Sequence, residues 1–158
     1  MRTIVIVVVG ALLSACSTPE YIPIQHFTLA PDVQTGQFPP MDITLALRPL
    51  DAGQLYRQPM AYRRTPHEVE FYTHARWTDE PRYMVTQALK DALIQTNRFA
   101  DVGEASDLSM PDLVLTGTLR QFEEVRIGAP SAAVCEVRIE VRETLGPALV
   151  WADTLHVE

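Results

Sequence analysis

Glycine and basic charge are both in short supply: the 158-residue chain has seven glycines, and 13 Lys and Arg against 20 Asp and Glu. A formal charge of −7 gives the chain no electrostatic reason to meet a phosphate backbone, so nucleic acid is not an expected partner. Cysteine is almost absent, with only Cys16 and Cys135, and neither HExxH nor a Cys/His pair occurs, so no metal site is expected. There is no GxSxG elbow and no Gly-rich phosphate loop. These absences leave a chain without an enzyme's usual motifs, and neither a catalytic residue nor a cofactor is expected. Twelve prolines beside so few glycines favour strands and loops over a helical bundle, and the length fits one domain.

The first residues do carry a signal. Arg2 precedes an apolar run from Ile4 to Leu13, which falls short of the roughly 20 residues that cross a bilayer. Leu13-Ser14-Ala15-Cys16 then resembles the bacterial lipobox, in which small residues admit the peptidase and the cysteine sulfur is acylated and becomes the first residue. Residues 1–15 are therefore expected to be a lipoprotein signal peptide and 16–23 a lipidated tether. Ser17, where an Asp would retain the protein at the inner membrane, implies the outer membrane, facing the periplasm. Loss of Arg2 makes the mature chain one unit more acidic. A disulfide framework is excluded, since Cys135 is left without a partner; it shares a strand face with Val137, Ile139 and Val141 and is expected to be a small buried hydrophobe.

Along residues 24–158 the pattern is mostly of period two. Ile24 to Ala30, Asp42 to Leu50, Met60 to Arg64 and His67 to Arg76 read as strands, with a turn at Thr65-Pro66. Thr78 or Asp79 is the expected N-cap of one amphipathic helix, with Pro81 in its first turn. Its stripe is Met84, Val85, Ala88, Leu89, Ala92 and Leu93, its wet side Gln87, Lys90, Asp91 and Gln95. Asn97 is a left-handed stop, and Arg98 suits the C-terminal end. Phe99 to Val102 is a short edge strand. Asp112 to Glu124 is a strand in which Gly117 signals a bulge or a close approach of another backbone. Ala133 to Glu143 and Leu149 to Val157 form a closing hairpin.

His67, Glu68, Glu70 and His74 look like a metal cluster, but strand parity sends His67 and His74 to opposite faces. Glu136, Arg138, Glu140, Arg142 and Glu143 read as a solvated sheet face with cross-strand pairs. Arg57 and Tyr62-Arg63-Arg64 make a local basic patch, read either as solvated charge or as a dock for an acidic partner or lipid headgroup.

In order, the chain shows Phe27-Thr28-Leu29, Leu55-Tyr56-Arg57-Gln58-Pro59-Met60, Trp77 at the helix entry and Phe122-Glu123. With the lipobox, this order is similar to the ABC-type transport auxiliary lipoproteins, the PqiC-like family. The resemblance implies an α/β (α+β) domain, with a single mixed, mainly antiparallel sheet packed on one main amphipathic helix. It also implies an outer-membrane lipoprotein that works with a periplasmic MCE-domain protein and inner-membrane transport components to move lipid, with a homo-oligomer as a further option. It carries no catalytic residues. Relatives usually continue into a C-terminal amphipathic helix, whereas this sequence stops at His156-Val157-Glu158, so a domain without that helix is expected. The alternative is a structural or assembly lipoprotein, pilotin-like or TolB-like. A periplasmic hydrolase, the remaining class, would lose activity on changing His67 or His74. Cys16→Ala is expected to abolish acyl labelling and release the protein from the membrane fraction; retention and labelling unchanged would refute the anchor.

Overall fold

The computed structural model describes residues 21–36, 38–146 and 148–158. The expected signal peptide and Cys16 therefore lie outside the described residues. The fold is α+β, one unclosed mixed sheet with a single helix among the described residues.

Everything leans on one long strand. In chain order the elements are β1 Gln25–Phe27, β2 Thr44–Leu47, β3 Asp51–Ala52, β4 Pro59–Thr65, β5 Glu68–Trp77, α1 Pro81–Gln95, β6 Asp101–Glu104, β7 Leu113–Val125, β8 Ala132–Glu143 and β9 Leu149–Val157. The 13 residues of β7 extend about 43 Å at the usual rise of a strand. Along one edge β7 pairs antiparallel with β8, from Leu113↔Glu143 to Val125↔Ala132. Along the other it takes three short parallel partners end to end: β2 at Leu113 to Leu115, β3 at Thr118 and Leu119, β4 at Glu123 to Val125. The chain from Thr44 to Thr65 is thus one interrupted strand. Pro49 has no N–H to offer a ladder, and the path breaks there, after Arg48 N has donated to Leu115 O at 3.0 Å.

Outside this path the sheet divides into two wings. One adds β6 to β2, in parallel; the other adds β5 to β4, antiparallel, and β1 to β5, in parallel. The helix α1 joins β5 to β6, from one wing to the other, and packs Val85, Leu89 and Leu93 on the core of Leu45, Leu47, Leu50, Leu115, Leu119, Val137 and Ile139. Thr86 Oγ1 accepts from Leu50 N at 3.0 Å, which ties the helix to the break after Pro49. The expected stripe is correct in its central residues. The entry differs: Glu80 is the N-cap, without a side-chain cap bond, and Pro81 is the first helical residue and buried. Asp79 Oδ1 instead accepts from Glu80 N at 2.7 Å. Asn97 has φ 48°, the left-handed stop expected of it.

Other boundaries shift by a few residues. The first strand shrinks to β1, β6 begins two residues later than expected, and β3 is two residues long, too short to leave a periodic signal. Gly117 does mark a close approach. A Cβ there would lie 2.4 Å from the Arg138 carbonyl oxygen and 2.9 Å from Leu50 Cδ2. Backbone cannot yield as a side chain can, so Gly117→Ala is expected to destabilise the domain by about 3 kcal/mol. Chemical denaturation measures this; a loss under about 1 kcal/mol would mean that β7 and β8 relax freely there.

Candidate functional site

A fault in the sheet makes an apolar groove of about 920 Å³. Between the pairs Pro59↔Arg76 and Ala61↔Phe71 the register slips, so that Tyr72, Thr73, His74 and Ala75 of β5 stand opposite the single Met60 of β4. All five residues line the groove. The slip also breaks the alternation of β5, and beyond it Trp77 packs its ring on Phe122, centroids 5.1 Å apart. Trp77 is fixed by its N–H to Gln58 O at 2.7 Å, and Thr78 N donates to Phe27 O at 2.8 Å, which holds β1 as a wall. Ala61, Phe122 and Val134 are buried at the bottom; Phe27 and Val157 stand exposed at the sides. A second, more polar cleft of about 530 Å³ lies between residues 28–33 and the helix at Met84 and Gln87.

One end of the groove is ionic. Tyr72 and Glu124 line it, and Arg126 joins them: its Nε donates to Glu124 Oε1 at 3.0 Å, and its guanidinium sits 4.6 Å from the Tyr62 ring centre and 5.2 Å from that of Tyr72. The Tyr72 hydroxyl also donates to Glu124 and accepts from Arg126. Arg126 foremost, then Tyr72, hold the Glu124 carboxyl down to about 2. Burial, with the bond to Glu124, pushes the Tyr72 hydroxyl up. One residue earlier, the fully buried Glu123 carboxylate accepts from Arg63 Nε at 2.6 Å, Gln121 Nε2 at 2.7 Å and the Tyr56 hydroxyl at 3.3 Å.

Three sequence readings need correction. The parity argument for His67 and His74 does not hold: His67 is in the Pro66-His67 turn, and the slip in β5 breaks alternation before His74, which lines the groove. Among the described residues no group of three or more His, Cys, Asp and Glu could hold a metal. The basic patch is neutralised, because Arg57 pairs with Glu80, Arg63 with Glu123 and Arg64 with Glu70. Cys135 is half-buried beside the core and lines the groove, where burial raises its thiol pKa. The charged ladder pairs both within β8, where Arg138 and Arg142 reach Glu140, and across strands, where Arg120 and His156 approach Glu136.

The fold and the groove define a single-sheet α+β domain with an apolar groove in its surface. The chain belongs to the ABC-type transport auxiliary lipoprotein component family, whose model matches residues 27–158. Two solved structures share the fold. One is a Xanthomonas campestris protein described as DUF330, 21% identical, with TM-score 0.73 over 84% of this chain and 76% of that one. The other is an uncharacterized protein, 14% identical, with TM-score 0.63 over 87% of this chain and 81% of that one. No curated protein matches significantly. No helix among the described residues is long and apolar enough to cross a membrane.

The depressed Glu124 sets a pH dependence. Its folded pKa of about 2 lies below the ordinary 4.5, so the stability it contributes is complete above pH 4.5 and is lost as pH falls toward 2. Glu124→Gln is expected to flatten thermal stability between pH 4.5 and 2 by up to one proton's worth of slope. A variant curve parallel to that of the parent protein would refute the coupling.

Proposed function

We propose that this protein is an outer-membrane lipoprotein, anchored through acylated Cys16, that serves as the auxiliary component of an ABC-type MCE lipid-transport system. The observation that carries the reading is the family match over residues 27–158, coming directly after a lipobox-like segment and a short tether. Diacylation suits such a role, since burial of about 0.8 kcal/mol per methylene makes anchoring durable once more than one chain is attached. The domain's part is to dock on a periplasmic MCE-domain protein and through it on inner-membrane transport components. Its many paired arginines leave exposed apolar side chains as the more distinctive surface, among them Leu149, Val150 and Trp151 in the final strand.

The second reading, a pilotin-like or TolB-like assembly lipoprotein, differs in the partner and not in the anchor. Photo-crosslinkers placed in living cells at Gln87 on the helix and at Val150 on the last strand separate the two. Capture of an MCE-domain protein is expected from at least one position. Repeated capture of a secretin or a lipopolysaccharide-assembly protein would overturn the transport reading.

A further inference from the structure

We propose that the groove along β1, β5, β8 and β9 binds one acyl chain of a membrane phospholipid, its polar end lying at Tyr72, Glu124 and Arg126. The size suits this: about 920 Å³ falls within the roughly 300–1,000 Å³ of small-molecule sites. So does the lining, in which Phe27, Leu29, Trp77, Phe122, Cys135 and Val157 outweigh the polar Gln25, Thr73, His74 and Glu123. The groove is amphiphilic along its length, not uniformly greasy. Arg126 commits Nε to Glu124 and Nη2 to Tyr72, so donors remain among its five N–H groups for a lipid ester or phosphate oxygen. Its side chain is 40% exposed and open to such a group.

Reach to the membrane chooses phospholipid as the occupant. Gln25 lines the groove and is nine residues after Cys16, so the tether spans at most about 30 Å even when fully extended. A groove held that near to a bilayer meets phospholipid at a higher local concentration than any other apolar molecule. This inference rests on the lipid anchor proposed above and not on the identity of the transport partner.

The full-length acylated protein, in vesicles of phosphatidylethanolamine and phosphatidylglycerol doped with a phospholipid bearing a diazirine on one acyl chain, provides the test. Irradiation followed by peptide mass spectrometry is expected to place adducts on the groove residues of β1, β5 and β8. Val157→Asp sets a charge at a position that is 64% exposed, so the fold should persist, and it should cut those adducts roughly tenfold. Cys135→Trp, which fills the groove from within, should do the same; circular dichroism and thermal unfolding verify that each variant is folded. Adducts confined to residues 17–24, or unchanged in folded Val157→Asp, would overturn the site. So would protein–protein crosslinks through groove residues without lipid adducts, which would assign the groove to a second copy. Failure of the anchor is seen separately, as the absence of the acylated mass before irradiation.

Discussion

A strand of 13 residues must satisfy its N–H and C=O groups on two edges, and nearly every other feature follows from how β7 does so. One edge is simple, because β8 arrives by a hairpin and pairs along the whole length. The other is filled in advance by the chain between Thr44 and Thr65, running parallel and therefore needing a long return path. That stretch cannot stay in register throughout. It leaves the ladder twice, and each excursion puts a side chain to use: Leu50 drops against Gly117, and Tyr56 turns its hydroxyl to Glu123. The two excursions also separate the wings, and α1 must cross between them. Its burial of Val85 and its bond from Thr86 to Leu50 are what join the wings across the break.

Charge is handled in the same spirit. The chain is acidic, yet Arg57, Arg63 and Arg64 do not stand as a basic surface, because Glu80 at the helix N-cap and Glu123 and Glu70 on neighbouring strands supply a carboxylate for each. The case of Glu123 is instructive. A buried ion pair recovers little net stability, because desolvation of both charges offsets their attraction. What it does is select an arrangement. With Arg63 from β4, Gln121 from β7 and Tyr56 from the preceding loop all meeting one carboxylate, a slip of β4 along β7 would strand a charge indoors.

The elements that could be read from sequence are those long enough to show a period. The helix, β7 and the closing hairpin each repeat an apolar spacing over nine residues or more, and they are found within a residue or two of where that spacing puts them. β3, with two residues, and β1, with three, are made by their partners and have no period of their own. The groove was hidden for a related reason. Strand parity assumes an unbroken ladder, whereas β5 carries four residues against one of β4, and parity after such a slip points to the wrong face. Trp77 was legible as a corner, but its meeting with Phe122, beyond the slip, was not. Cys135 was assigned the right character and the right face, beside Val137, Ile139 and Val141, but it is only half-buried, since a strand face alternately buried does not say how far across the sheet the cover extends.

The last strand joins these themes. Among the described residues β9 pairs with β8 alone, and Leu149, Val150, Trp151, Leu155 and Val157 along it are exposed by 41% or more. Such an edge is a hazard in a freely diffusing protein, which would normally blunt it with charge, proline or a bulge. Here Asp153 and His156 are the only charged or titratable residues within it, and its end forms one side of the groove. An edge that keeps hydrocarbon at Val157, where it lines the groove, is not armoured with lysine there. The two demands are reconciled if the strand works near a surface that tolerates apolar side chains, which the proposed acylation of Cys16 would supply. The same feature that is a liability in bulk water then belongs to the site: the membrane reading and the groove reading constrain each other through one strand.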